Sequence, residues 1–243
     1  STLFPYTTLF RSAFLRRIES SYEIKTCAPV LAFIARPISP TKSNGAASRK
    51  PVSESDYSFI RVIGEGCMGK VILARHKEDR KLYAIKVINK DWASKQREIE
   101  HTLSERNILA SMGRDHPPFL IVMHHSFQTK TDLYFVLDYC PGGDLATQLT
   151  QRRTLPIADA RFYAAEIIVG LSALHQRGVI YRDLKPENIL IDRDGHVVLT
   201  DFGLSKQLSK SSTTLTFCGT AEYLAPETLC GVEYTYAVDW FSL

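Results

Sequence analysis

Two short polar segments constrain this chain more than any other feature of its 243 residues. The first, YRDLKPEN at 181–188, places two carboxylates, two cations and an amide in one short stretch after an apolar helix-like segment. The second, DFG at 201–203, begins thirteen residues after Asn188. A surface loop can contain such residues by chance, but the second segment rarely follows at this interval. The pair is therefore the most specific indication of chemistry in the sequence.

A glycine-rich segment, GEGCMGKV at 64–71, is the second indication. It fits the GxGxxG pattern of dinucleotide-binding loops and nearly fits the P-loop pattern, in which Val71 replaces the hydroxyl residue that binds magnesium. In each case glycines let backbone N–H groups approach phosphates closely. A glycine-rich hairpin without a ligand is the plain alternative. The pattern predicts strands on both sides, whereas Rossmann and P-loop segments lead into a helix, which disfavours both of those classes.

A lysine inside a predicted strand follows the glycines. Lys86 lies seventeen residues after Gly69 in the segment AIK. A lysine in an apolar strand usually points to solvent at a sheet edge. A functional lysine would neutralise phosphate oxygens and would need a carboxylate to hold it. Glu105, nineteen residues further on in a predicted helix, is the candidate.

Periodicity predicts a β-rich half followed by a mainly helical half, and so an α+β fold. Alternating, β-branched segments predict strands at 59–66, 69–76, 81–88 and 132–139. Apolar residues at helical spacing predict helices over 95–112 and 158–178, the second ended by Gly178. The segment 192–202 reads as a hairpin.

Composition excludes several classes of protein. The net charge of +4 is too small to indicate nucleic acid or a membrane surface as a partner. The five cysteines are scattered without a CxxC, so we expect reduced thiols in a cytoplasmic protein, also nuclear, and no disulfide or zinc framework. The apolar run at 28–35 is far shorter than the roughly 20 residues of a membrane span.

Three segments divide the chain. Residues 36–55 are rich in Pro, Ser, Gly and Lys and lack apolar residues, so 13–56 is expected to be a flexible N-terminal region and linker. Residues 2–12, TLFPYTTLFRS, are similar to the conceptual translation of a sequencing-library adapter. We therefore interpret 1–12 as an artefactual segment and exclude it from fold reasoning.

Together, the glycine segment, Lys86, YRDLKPEN and DFG resemble the signature set of the eukaryotic protein kinases over residues 57–243. Lys185 after Arg-Asp-Leu is the serine/threonine form. The segment TFCGTAEYLAPE at 216–227, and YRD in place of HRD, are similar to the AGC group. Within that group, 76–90, 126–139, 160–167 and 212–220 look most like serum- and glucocorticoid-regulated kinases and protein kinase B.

The resemblance implies a bilobal fold with an N-lobe at 57–137, a hinge at 138–140 and a partial C-lobe at 141–243. It also implies ATP and Mg²⁺. By the phosphoryl-transfer template Lys86 holds the α- and β-phosphates and pairs with Glu105, while Asn188 and Asp201 hold magnesium. Asp183 orients the acceptor hydroxyl and takes its proton, and Lys185 neutralises charge on the γ-phosphate. The ATP-binding residues implied are Ile63, Gly64, Glu65, Gly66, Cys67, Met68, Gly69, Val71, Ala84, Lys86, Leu137, Asp138, Cys140 and Leu190.

Regulation and substrate preference also follow from the resemblance. Thr216 occupies the activation-loop phosphorylation position, with Arg182, Lys206 and His101 as candidate cations for the phosphate. Asp144 and Glu187 match positions that receive substrate arginines. The partners expected are protein substrates with basic motifs and an upstream activating kinase. A monomer without nucleic acid or a transmembrane segment is expected.

Some positions depart from the family pattern. Cys67 and Met68 replace the usual Ser-Phe at the loop tip, and Ala221 replaces a common Pro. The chain ends at VDWFSL, where the family's central C-lobe helix begins, so the expectation is a fragment that folds poorly and has little activity as written. The alternatives to an active kinase are thus a truncated, inactive fragment and a nucleotide-binding scaffold.

Overall fold

A computed structural model describes residues 52–66, 69–95, 98–113, 115–208 and 213–243. The predicted segment 1–12, most of the predicted linker, and the loop-tip residues Cys67 and Met68 lie outside these ranges. None of the described helices is long and apolar enough to cross a membrane.

The first half forms a five-stranded antiparallel sheet with strand order β1-β2-β3-β5-β4. A short 3₁₀ turn precedes β1, and two helices separate β3 from β4. The elements are η1 (Glu54–Asp56), β1 (Tyr57–Gly66), β2 (Gly69–His76), β3 (Leu82–Asn89), α1 (Lys90–Lys95), α2 (Ile99–Met112), β4 (Met123–Gln128) and β5 (Asp132–Asp138).

An aromatic and aliphatic cluster fills one face of this sheet. Phe127 of β4 pairs with Tyr134 of β5, and their rings stack with centroids 4.7 Å apart. Tyr57 stacks on Phe127 at 6.2 Å, and Ile85 and Val136 pack into the same cluster. Successive side chains alternate between sheet faces. Lys86, next to Ile85, therefore lies on the opposite face, towards α2.

The second half is mainly helical and carries two short antiparallel strand pairs, β6 with β9 and β7 with β8. Its elements are α3 (Leu145–Arg152), α4 (Ile157–Gln176), β6 (Val179–Ile180), η2 (Pro186–Asn188), β7 (Ile189–Ile191), β8 (Val197–Leu199), β9 (Lys206–Gln207), η3 (Ala221–Tyr223), α5 (Pro226–Leu229) and α6 (Ala237–Ser242).

Helix α4 forms the buried centre of the helical half. Leu171 and Leu174 are fully buried, and Gly170 lets the helix approach Leu199 of β8 closely. A Cβ on Gly170 would lie 3.1 Å from a methyl carbon of Leu199. The β7–β8 hairpin, which carries the segment between YRDLKPEN and DFG, is thus packed firmly on α4.

The predicted α+β order is confirmed, with small differences in element bounds. The four predicted strands are present, and the predicted 192–202 hairpin contributes β8. The helix predicted over 95–112 begins only at Ile99, because α1 ends at Lys95. The strand β4 was not predicted, since MHHSFQ carries two histidines and few β-branched residues.

Candidate active site

Lys86 of β3 and Glu105 of α2 form the bridge between sheet and helix. Lys86 Nζ lies 2.7 Å from Glu105 Oε1 and 3.3 Å from Asp201 Oδ1. Burial alone would lower the pKa of Lys86, but the two facing carboxylates raise it above its ordinary value, so the ammonium keeps its charge. Lys86 in turn lowers the pKa of Asp201, which stays ionised. Burial raises the pKa of Glu105, and the ammonium opposes that shift.

Asp183 is the centre of a second cluster, in the loop between β6 and η2. It is buried, yet both carboxylate oxygens have partners. Thr220 Oγ1 donates to Oδ1 at 2.7 Å, and Asn188 Nδ2 donates to Oδ2 at 2.8 Å. Lys185 Nζ lies 2.9 Å from Oδ2 and donates to Thr220 Oγ1 at 2.7 Å. These contacts fix the carboxylate and bring a cation beside it.

A buried carboxylate from α6 supports this loop from below. Asp239 is 1% exposed and accepts from the backbone N–H groups of Tyr181 at 2.9 Å and Arg182 at 2.8 Å. His175 Nε2 lies 2.7 Å from the same carboxylate. Arg182 has a φ of 70°, a left-handed conformation that is uncommon for a residue with a side chain. The contacts of Asp239 hold that conformation in place.

Cross-strand pairing brings together three of the residues predicted to bind ATP, namely Val71, Ala84 and Leu137. Gly64 pairs with Val71, Val71 pairs with Lys86, and Ala84 pairs with Leu137. Paired residues share a sheet face, and so do residues two apart on one strand. Val71, Ala84 and Leu137 therefore lie on the same face of the sheet as the Lys86 ammonium.

Gly69 begins β2, directly after the tip of the glycine segment. Its φ is 149°, and a Cβ at this position would lie 2.0 Å from the carbonyl oxygen of Val87. Only glycine allows this close approach of backbone to backbone. The close β2–β3 pairing thus fixes one end of the loop predicted to cover the phosphates. Ile63 and Glu65, on the preceding strand β1, are partly or largely exposed.

The predicted hinge leaves β5 at Asp138. The Asp138 carboxylate turns towards β4, where Oδ1 lies 2.7 Å from His124 Nε2 and Oδ2 accepts from the Val122 N–H at 3.3 Å. Cys140 is half-buried, and burial raises the pKa of its thiol to about 12. The thiol therefore stays protonated near neutral pH.

Asn188 and Asp201 fit a magnesium site by their chemistry. A carboxylate and an amide oxygen are ligands that Mg²⁺ takes, usually together with waters and substrate phosphates. The two donated bonds of Asn188 come from Nδ2, so its side-chain oxygen is turned away from them. The Asp201 side chain is 48% exposed beside Lys86. Among the described residues no group of three or more His, Cys, Asp or Glu forms a metal site, so these residues would rely on the nucleotide for further ligands.

Two of the cations predicted for a phosphate on Thr216 are linked to Thr216 through intermediate side chains. Thr216 Oγ1 is 3.2 Å from Thr214 Oγ1, which accepts from Lys206 Nζ at 3.1 Å. Arg182 reaches the same segment through Tyr234. For His101 the structure shows a different partner, because its Nδ1 lies 2.8 Å from Glu98 Oε2.

The two acids predicted to receive substrate arginine lie on neighbouring elements. Asp144 is the N-cap of α3, with Oδ1 accepting from the Thr147 N–H at 2.7 Å and Oδ2 accepting from Thr147 Oγ1 at 2.8 Å. It also bridges to Leu190, so the backbone places it beside the strand after YRDLKPEN. Glu187 is exposed in η2, which packs against α3.

Two residues of this site were not among the predicted ones. Thr220 contacts both Asp183 and Lys185, and Tyr234 contacts the Thr216 segment. Thr220 lies inside the motif TFCGTAEYLAPE, so its motif could have indicated it. Tyr234 carries no such signal, because its contacts arise only from the fold.

The β-rich half, the bridging Lys86–Glu105 pair and the Asp183 loop define the class of the molecule. The profile of the protein kinase domain family matches residues 57–243, and the chain belongs to that family. The predicted bilobal protein-kinase fold is confirmed.

The chain is also similar to particular kinases. It is 51% identical over 200 residues to "Serine/threonine-protein kinase Sgk1" of Homo sapiens, and 50% identical over 200 residues to the proteins of that name from Danio rerio and Xenopus tropicalis. Each alignment covers 82% of this chain and 46–47% of the relative. The chain thus spans about half the length of these curated relatives. The matches confirm the predicted resemblance to an AGC-group kinase most like the serum- and glucocorticoid-regulated kinases.

Proposed function

We propose that this domain transfers the γ-phosphate of ATP to serine or threonine side chains of proteins. The observation that carries the proposal is the convergence of two clusters. Lys86, Glu105 and Asp201 join the sheet to the DFG segment, and Asp183 and Lys185 stand on the loop that Asp239 braces. The serine/threonine class is supported by Lys185 and by the similarity to serine/threonine-protein kinases.

Positioning and electrostatics account for most of the catalysis in this reaction class. The Asp183 carboxylate is held by Thr220 and Asn188, so it can orient an acceptor hydroxyl and take its proton without reorganising. Lys185 is tied to both Asp183 and Thr220, and its ammonium would face the transferred phosphoryl group. Lys86 is kept charged by two carboxylates and would hold the α- and β-phosphates.

Asn188 and Asp201 would hold magnesium, which supplies positive charge to the phosphate oxygens when it is bound. The remaining nucleotide contacts are proposed from the shared sheet face of Val71, Ala84 and Leu137 and from the glycine segment that Gly69 anchors.

The proposed substrates are serine or threonine in basic segments, with arginine three and five residues before the acceptor. Asp144 and Glu187 support this class, because both carboxylates lie beside the catalytic loop. Asp144 already accepts two hydrogen bonds from Thr147, but each carboxylate oxygen retains a further lone pair for an arginine. Activation by phosphorylation of Thr216 through an upstream kinase is proposed on the contacts of Lys206 and Arg182. A cytoplasmic, and also nuclear, location is proposed on the cysteine usage.

A phosphotransfer assay tests the proposal. The full chain is incubated with Mg²⁺, radiolabelled ATP and a serine peptide that carries arginines at both positions, and phosphoserine is measured. Lys86→Met is expected to lower the rate by about 100-fold. Lys81→Met, an exposed lysine at the start of the same hairpin strand, is the matched control and is expected to match wild type within about twofold.

The alternatives give different results in the same assay. A nucleotide-binding scaffold would bind ATP, lose that binding in Lys86→Met, and transfer no phosphate. An inactive fragment would neither bind ATP nor transfer phosphate. Equal rates with the arginine peptide and a matched alanine peptide would refute the proposed substrate class while leaving the phosphotransfer intact.

A further inference from the structure

Tyr234 is a buried tyrosine in the segment that joins α5 to α6, 4% exposed. Its ring packs in a small apolar cluster with Ile180, Leu208, Ala225 and Val238. That cluster lies beneath the catalytic loop, because Ile180 immediately precedes YRDLKPEN. The backbone N–H, the backbone carbonyl and the hydroxyl of Tyr234 nevertheless each contact the segment around Thr216.

The backbone of Tyr234 makes the first connection. Its N–H donates to the Thr214 carbonyl at 3.0 Å, and the Thr214 N–H donates to the Tyr234 carbonyl at 3.1 Å. Thr214 is itself buried, and its hydroxyl lies between Lys206 Nζ and Thr216 Oγ1. This two-way pairing fixes the activation segment two residues before Thr216.

The hydroxyl of Tyr234 makes the second connection. It donates to the Thr216 carbonyl at 2.6 Å and accepts from Arg182 Nη1 at 3.5 Å. Cys218 Sγ lies 4.0 Å from the same oxygen. Burial raises the pKa of this phenol above its ordinary value, so the hydroxyl keeps the proton that it donates. The catalytic loop and the activation segment are thus joined through one oxygen atom.

We propose that Tyr234 is a positioning residue: its hydroxyl holds the Thr216 segment against Arg182 in the unphosphorylated protein and so sets the basal rate of phosphotransfer. The inference rests on the proposed function for its kinetic part. Its structural part, the ordering of residues 213–218, is independent of any catalysis.

Arg182 connects the Tyr234 hydroxyl to the catalytic loop, so this contact can affect the rate of phosphotransfer. Arg182 Nε donates to the Leu204 carbonyl at 2.6 Å, directly after DFG. Its backbone N–H is bound by Asp239. Arg182 therefore contacts the start of the activation segment and the brace of the catalytic loop directly, and it reaches the Thr216 carbonyl through the Tyr234 hydroxyl. A phosphate on Thr216 would offer this guanidinium a charge-assisted partner, which is stronger than a neutral hydroxyl. The contribution of the Tyr234 hydroxyl is therefore expected to fall once Thr216 is phosphorylated.

The test compares Tyr234→Phe with Tyr236→Phe in the full chain. Both changes remove one phenolic oxygen from the same segment, and the structure shows the Tyr236 ring against His175, with no hydrogen bond of its hydroxyl among the described residues. Loss of the neutral hydrogen bond to the Thr216 carbonyl, together with the longer 3.5 Å contact from Arg182, predicts a basal kcat about fivefold lower in Tyr234→Phe, with KM for ATP within about twofold. Amide exchange at residues 213–218 should be about fivefold faster, and exchange in β1–β5 unchanged. Tyr236→Phe should match wild type in basal kcat, in KM for ATP and in amide exchange.

A second arm uses protein phosphorylated at Thr216. There the rates of Tyr234→Phe and wild type should agree within about twofold. A basal deficit of the same size in both phosphorylation states would overturn the inference, because it would indicate a purely structural role. Unchanged exchange at 213–218 would overturn it as well. Absence of phosphotransfer by wild type would count against the proposed function. Amide exchange at residues 213–218 would still test whether the Tyr234 hydroxyl holds the Thr216 segment.

Discussion

Replacement of Asp239 is the perturbation whose cost follows most directly from the structure. The carboxylate is 1% exposed and has three partners: the backbone N–H groups of Tyr181 and Arg182, and the imidazole of His175. Asp239→Ala removes this acceptor from the buried Tyr181 N–H, and from the part-buried Arg182 N–H and His175 imidazole. The two N–H groups belong to the catalytic loop, so the damage falls on the loop that carries Asp183.

The magnitude can be worked from those contacts. Each buried donor left without an acceptor costs about 1–3 kcal/mol, and the costs of neighbouring donors do not add fully. We expect Asp239→Ala to lower the free energy of unfolding by about 3–5 kcal/mol, and Asp239→Asn, which keeps one acceptor oxygen, by about half as much.

Urea unfolding followed by circular dichroism measures this difference. Asp194→Asn is the control, because Asp194 is 69% exposed in the turn of the β7–β8 hairpin, and a change within about 0.5 kcal/mol is expected. A loss below about 1 kcal/mol for Asp239→Ala, at an unchanged denaturant slope, would refute the reasoning. It would mean that water or a neighbouring group satisfies the loop without this carboxylate.

Two further predictions test other parts of the structure. Gly69→Ala should lower the free energy of unfolding by about 2–3 kcal/mol and weaken ATP binding, because a Cβ would lie 2.0 Å from the Val87 carbonyl oxygen. Gly66→Ala, where a Cβ meets nothing within 4 Å, is the control for urea unfolding, and equal losses of stability in both variants would contradict the assignment. ATP titration compares Gly69→Ala with wild type. The hydrogen bond with Glu166 raises the pKa of His196 above its ordinary value of 6.5, so its stabilisation is complete below that pH and is lost as pH rises through the raised pKa. The difference in Tm between wild type and His196→Asn should therefore shrink from about pH 5.5 to about pH 9, and a difference that is constant or grows with pH would contradict this.

The sequence predicts those parts of the fold and site that depend on local pattern. Alternating apolar residues predict β3, and the position of Lys86 within it places the ammonium on the face opposite Ile85. The strand β4 was missed because its stability depends on partners: Phe127 stacks on Tyr134 of the neighbouring strand. Such cross-strand contacts join residues whose pairing no local pattern reveals.

The same distinction applies to the site. YRDLKPEN and DFG mark the predicted catalytic loop and the proposed metal ligands, because short motifs preserve their own internal geometry. Only the tertiary fold brings Thr220 into contact with Asp183, 37 residues earlier in the sequence. It likewise brings Tyr234 into contact with Thr216, 18 residues earlier. For His101, which the family resemblance gave as a candidate cation for a phosphate on Thr216, the structure shows the ring beside Glu98.

Single-turnover phosphotransfer by wild type and Asp183→Asn tests the central claim most directly. With saturating Mg²⁺ and ATP and a basic serine peptide, the account predicts a rate at least about 100-fold lower in Asp183→Asn. Asp183 contacts Thr220, Asn188 and Lys185. It does not belong to the sheet face of Val71, Ala84 and Leu137, so ATP affinity should stay within about twofold. Equal transfer rates in the two proteins, or a wild-type chain that binds ATP with magnesium and transfers no phosphate, would contradict the account.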